Sequence, residues 1–258
     1  MESTLIAAIS AIVGFVGKSL LDSFFKRREA NHEVSKKYSR PILFAAAELQ
    51  DRLWGLTQRQ AISPNPSLLR EDKDELFSLT FSITKRHYLT SIIYLFARYF
   101  AYIEILKKKV QFIELKKNND SKSFAILMKS AERALSEEQL INLAKTPMKY
   151  DRQIFKLQQA YIGEKLILEK EKELYCMSFA EFSDKFEIFS SEADFKDLID
   201  FLTRAVSNNQ EDFCLSRCCL LLNALVDLIN FLDPKCQYVS SKDREKVIVP
   251  GIDGYGVK

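Results

Sequence analysis

Residues 74–115 read DELFSLTFSITKRHYLTSIIYLFARYFAYIEILKKKVQFIEL. Tyr88, Ile92, Leu95, Tyr99, Tyr102, Ile103, Leu106, Val110 and Ile113 recur three to four positions apart, the spacing that aligns side chains along one side of an α-helix. No glycine or proline interrupts the chain between Pro66 and Pro147. Residues 92–105 are densely apolar and aromatic, broken only by Arg98 and Glu104. A helix apolar on most sides has to be surrounded. The run is short and polar for a membrane span, so it predicts the central helix of a bundle.

The flanking chain repeats the pattern. Ile42, Leu43, Ala46, Leu49, Leu53 and Leu56 predict a helix over 42–56, with Pro41 in its first turn, where a missing N–H costs nothing. Residues 59–72 (RQAISPNPSLLRED) hold Pro64-Asn65-Pro66 and predict a loop. Asn118-Asn119-Asp120 marks a turn before a helix over 121–135. Ser136 with Gln139 resembles a capping box for a short helix, EEQLINLAK. A charged helix is predicted over 151–175, a short helix capped by Ser178, another over 194–206, and a last long helix over 213–232 stopped by Asp233-Pro234. The whole sequence has 7 glycines and 6 prolines in 258 residues. Sheet-rich folds need many turn residues, so this scarcity predicts long helices and few loops. The fold class is all-α, a multi-helix bundle.

The other informative stretch is Thr4 to Gly17, TLIAAISAIVGFVG, which carries no charge and is followed by Phe24-Phe25-Lys26-Arg27-Arg28. A helix needs about 20 residues to cross a bilayer core. Reaching that length means including Lys18 and Asp22, which lie four apart and can pair on a helix. A cleaved signal peptide does not fit, since Glu2 precedes the apolar run and the basic residues follow it. Leu5, Ile9, Ile12, Val16 and Leu20 share one face while Ile6, Val13 and Phe15 fill the others, unlike an interfacial helix with a polar side. The expected role is a membrane anchor over 4–25, and a helix buried in protein or in an oligomer is the alternative. If it spans, Lys26, Arg27 and Arg28 put the following chain in the cytoplasm.

Charge narrows the partners. With 38 basic and 35 acidic residues the formal net charge is +3, which lacks the basic excess of a nucleic-acid binder. Lys107-Lys108-Lys109 and Lys116-Lys117 are each faced by acidic residues and read as solvated helix faces. The five cysteines are odd in number, and Cys218-Cys219 sit in the apolar run LSRCCLLLNALV. They read as buried free thiols of a reducing compartment, not a disulfide framework. His32 and His87 are far from any cysteine, so no metal or cofactor is expected.

Polar groups set in apolar helices are the remaining leads. Arg98 and Glu104 lie in YLFARYFAYIEIL, Glu48, Asp51 and Arg52 in AAAELQDRLWGL, and Asn223, Asp227 and Asn230 in LLNALVDLINFLD. Buried charges need partners, so Arg98 or Arg52 is expected to meet Asp227, Glu48 or Glu104 across the bundle. Arg98, Glu104 and Asp227 form the candidate buried polar cluster. The bland role is an interhelix ion pair, and the functional one is a polar pocket with carboxylates acting as acid and base. No residue is assigned a catalytic role, since there is no GxSxG elbow, no glycine-rich phosphate loop and no ExxH pair.

The apolar start with KSLLD and FKRR, the stretch RPILFAAAELQDRLWGL, the helix LFARYFAYIEILKKKVQFIEL and LLNALVDLINFLDP together resemble a group of bacterial all-helical proteins of uncharacterised function. The resemblance implies a bacterial origin and an all-α body, and brings no catalytic residues with it. The expected organisation is an apolar helix with a charged extension (1–37), a helical bundle (38–240) and a flexible tail (241–258). The expected role is an inner-membrane-associated, mostly cytoplasmic interaction or scaffold module, with a protein partner or a homo-oligomer and no nucleic acid. The alternatives are an enzyme with a polar pocket in its bundle and a wholly soluble helical oligomer.

Overall fold

Helices dominate because the apolar periodicity of the sequence finds neighbours on the matching sides. The computed structural model describes residues 37–57, 75–109, 118–138, 151–207 and 212–252, with side chains from 87 onward in the second stretch and from 122 in the third. Among them are eight α-helices: α1 (37–57), α2 (Glu75–Lys109), α3 (Asn118–Ser136), α4 (Lys156–Lys165), α5 (Phe179–Asp184), α6 (Phe186–Ser191), α7 (Ala193–Ser207) and α8 (Cys214–Leu232). The expected anchor over 4–25, the 59–72 loop and all but the first two residues of the short helix expected after Ser136 lie outside the described residues. Ser136 itself is the last residue of α3.

In α1 the six positions named from the sequence, Ile42 through Leu56, are all buried. The helix is already formed at residue 37, ahead of the expected start at Pro41. The α2 helix has the predicted central place, touching α4, α5, α7 and the strand before α5. Ile92, Phe96, Ala97, Ala101 and Ile105 are fully buried along it. Lys107, Lys108 and Lys109 close its last turn, where positive charge complements the helix dipole. The α8 helix packs mainly on α3 and α7, with all but a few of its residues buried.

Two segments, His87–Lys109 and Cys214–Leu232, are long and apolar enough to cross a membrane, but 61% and 72% of their most apolar windows are buried inside the bundle. Their hydrophobicity is answered by packing against other helices.

The structure corrects the sequence reading twice. The helix expected over 151–175 stops at Lys165, and an antiparallel hairpin follows, β1 (Ile167–Lys170) paired with β2 (Glu173–Cys176). Its loop is Glu171-Lys172, with φ of 53° and 65°, the left-handed pair of a type I′ turn. Leu166 at the end of α4 and Met177 after β2 are fully buried, and the Met177 N–H donates to the Leu166 carbonyl at 2.8 Å. Tyr94 of α2 donates its hydroxyl to the Met177 carbonyl at 2.9 Å, so tertiary contacts override the helical propensity of LILEKEKEL. The second correction concerns the flexible tail expected from 241. Residues 241–252 return to the bundle, and Val247, Val249 and Ile252 are buried.

Ser178 caps α5 as the sequence predicts. Its hydroxyl accepts from the Glu181 N–H while the Glu181 carboxylate accepts from the Ser178 N–H. The α5–α7 region is built on phenylalanine: Phe182 stacks on Phe189, and Phe189 on Phe195, with centroids 5.4 and 5.2 Å apart.

Candidate functional site

The three residues of the expected polar cluster go to three different partners. Arg98 of α2 pairs with Glu48 of α1 and lies 5.8 Å from the Tyr102 ring centroid. Burial works against the charge of Arg98, and the Glu48 carboxylate with the Tyr94 and Tyr102 phenols outweighs it, so its pKa rises. Glu104 accepts from Lys107 one turn later, at 2.7 Å. Asp227 of α8 accepts from Lys246 at 2.9 Å. Asn223, one turn before Asp227, clasps the Val247 backbone with both amide atoms, at 2.9 and 2.8 Å. Asn223 and Asp227 thus share a helix face, as their spacing requires, and that face holds the C-terminal segment. Arg52 covers the Tyr88 ring at 5.1 Å.

Two buried ion pairs were not foreseen. Arg217, fully buried in α8, grips Asp151 through Nε–Oδ1 at 2.6 Å and Nη2–Oδ2 at 2.7 Å. It also donates to the Ala134 carbonyl at 3.1 Å and the Glu137 carbonyl at 3.0 Å. Ala134 lies in the last turn of α3 and Glu137 just past its end, where carbonyls lack an intrahelical partner. Asp233, just past α8, accepts from the N–H groups of Gln237, Tyr238 and Val239 and from Arg244 at 2.6 Å. Both pairs are dry staples, with side chains at most 7% exposed.

A cavity of about 220 Å³ opens between α2, α3 and α4. Phe100, Ile103, Ala125 and Met128 give it an apolar wall, beside Tyr99 and Gln159. Glu104, Lys107, Lys129, Glu132 and Lys156 supply its charge. Lys107 lies 2.7 Å from Glu104 and 3.9 Å from Glu132, and Lys156 lies 3.0 Å from Glu132. Three helices therefore contribute to one chain of alternating charge. The Tyr99 hydroxyl is buried without a hydrogen-bond partner among the described residues. Burial, with the negative charge of Glu132 adding to it, pushes its pKa up and keeps the phenol neutral. Of the expected cluster only Glu104 belongs here.

All five cysteines are free thiols. Burial pushes Cys176 and Cys219 up to about 12, and raises Cys214 and Cys218 as well. None of these four is poised as a thiolate nucleophile. Among the described residues no group of three or more His, Cys, Asp or Glu side chains could hold a metal ion. Comparison with protein-family models, with curated proteins and with solved structures yields no match. The resemblance to bacterial helical proteins gains no support from them.

Proposed function

We propose that the chain is a non-catalytic helical interaction module, tethered to the cytoplasmic face of an inner membrane by residues 4–25 and acting on a protein partner or on further copies of itself. The observation that carries this reading is how the polar side chains of the helices are spent. Arg98, Asp227, Arg217 and Asp233 each end in a contact that joins two parts of the fold. The two carboxylates that do converge on a cavity, Glu104 and Glu132, share Lys107 as a counter-ion. Among the described residues, the cavity lining includes no Ser, Thr, His, Cys or Asp, the usual carriers of nucleophilic and proton-transfer chemistry alongside Glu and Lys.

The tether rests on the composition of 4–25 and on the basic cluster Lys26-Arg27-Arg28. The free thiols, four of them held protonated by burial, suit a reducing compartment. Fractionation of cells expressing the full chain, beside a version beginning at His32, tests the reading. The full chain should stay in a salt-washed membrane pellet, and the shorter one should move to the supernatant with an unchanged helical circular-dichroism spectrum. Equal recovery of both in the supernatant without detergent would refute the tether.

A further inference from the structure

We propose that the cavity between α2, α3 and α4 binds a small carboxylate with a short apolar body, such as an aryl-acetate. Three observations fix that chemistry. The first is size: about 220 Å³ holds roughly seven waters at about 30 Å³ each, or a compound of about ten non-hydrogen atoms. The second is the division of the lining, with Phe100, Ile103 and Met128 on one side and a set of charged side chains on the other. A ligand that fits both needs an apolar body and a polar end.

The third is charge. Two carboxylates, Glu104 and Glu132, face three ammonium groups, Lys107, Lys129 and Lys156. Lys107 serves both carboxylates and Lys156 serves Glu132, while Lys129 makes no ion pair among the described residues. The neutral Tyr99 phenol adds no negative charge. The cavity is left with one positive charge, and an anion of single charge balances it. A cation or a dianion does not. The site stands independently of the tether and of any protein partner.

Ligand-observed saturation-transfer NMR on the full chain in detergent, titrated with phenylacetate, tests the proposal. Phenylacetamide serves as the neutral isostere, and all titrations are run at low ionic strength. Phenylacetate should bind saturably with a Kd on the order of 1 mM, the value expected of so small a ligand, and the amide at least tenfold more weakly. Ala125 is exposed on α3, so Ala125→Trp should fill the mouth and abolish saturable binding with the helical melt intact. Lys129→Glu should weaken phenylacetate about tenfold and leave the amide unchanged. Overturning results are no saturation, equal affinity for acid and amide, or binding that both variants leave untouched. The last would place the ligand in detergent or at another surface.

Discussion

Arg217 and Asp151 stand 66 residues apart and meet as a forked ion pair inside the protein, with the arginine fully buried. The same guanidinium closes the carboxyl end of α3, so one side chain of α8 joins α3, the segment before α4 and its own helix. Removing one member of a buried pair costs about 3–5 kcal/mol, because the other charge is left without compensation. Arg217→Met should lose stability of that size in urea unfolding. In an Asp151→Asn background the same change should cost markedly less. Purely additive losses would mean that the two groups do not depend on each other.

The two described glycines of the helices should respond in opposite directions to alanine. A Cβ on Gly163 of α4 would stand 2.6 Å from the carbonyl carbon of Phe100 and 2.8 Å from the Ala101 nitrogen. Both are backbone atoms of α2 and cannot step aside, so Gly163→Ala should cost about 1–3 kcal/mol. A Cβ on Gly55 of α1 meets nothing within 4 Å, and Gly55→Ala should gain about 0.5–1 kcal/mol. Thermal melts of the two variants check the opposite signs.

The hairpin loop places two side-chain-bearing residues, Glu171 and Lys172, at positive φ, at about 1 kcal/mol each. Glu171→Asn with Lys172→Gly supplies the residues that a type I′ turn favours. The double variant should melt a few degrees higher, about 2–4 °C per kcal/mol at this chain length. The Lys172 carbonyl that accepts from Lys109 is untouched by the change. A lower melting temperature would show that the native side chains contribute more than the turn geometry does.

Acid should loosen the segment after α8 through Asp233. Burial alone would raise its pKa, but the three backbone N–H donors and Arg244 outweigh it, and its carboxyl titrates below the ordinary aspartate range. A depressed folded-state pKa gives stability that is fully present above the unfolded value of about 4 and is lost as pH falls through the folded value. Asp233→Asn should cost about 3 kcal/mol at pH 7. The gap to the native protein should close as pH drops below about 4. A gap that stays constant with pH would exclude ionisation as the source of that stability.

The sequence made the helices legible wherever one apolar face repeats over many residues, as in Ile42–Leu56 and Tyr88–Leu106. It concealed the hairpin because Leu, Glu and Lys suit a helix equally well, and because Glu171-Lys172 lacks the Asn-Gly signature of its turn. The flexible tail expected from 241 is instead held by anchors, Arg244 and Val247, whose partners Asp233 and Asn223 lie 11 and 24 residues away. Arg98 and Glu48 both stand out against apolar neighbours, so their pairing is among those the sequence suggests. Arg217 stands out in the same way within LSRCCLLLNALV, but nothing local points to Asp151. The cavity draws charges from three helices, so spacing along the chain revealed only Glu104.

The buried thiols of α8 have a kinetic consequence. Cys214, Cys218 and Cys219 are closed to solvent and held protonated, so an alkylating reagent reaches them only when the helix parts from α3 and α7. Their labelling rate in the native protein, divided by the rate for the unfolded chain, measures how often that happens. Cys236, exposed on the surface, reports reagent strength in the same tube. The chain thus carries an internal clock for the opening of its own core, read by mass spectrometry without any added probe.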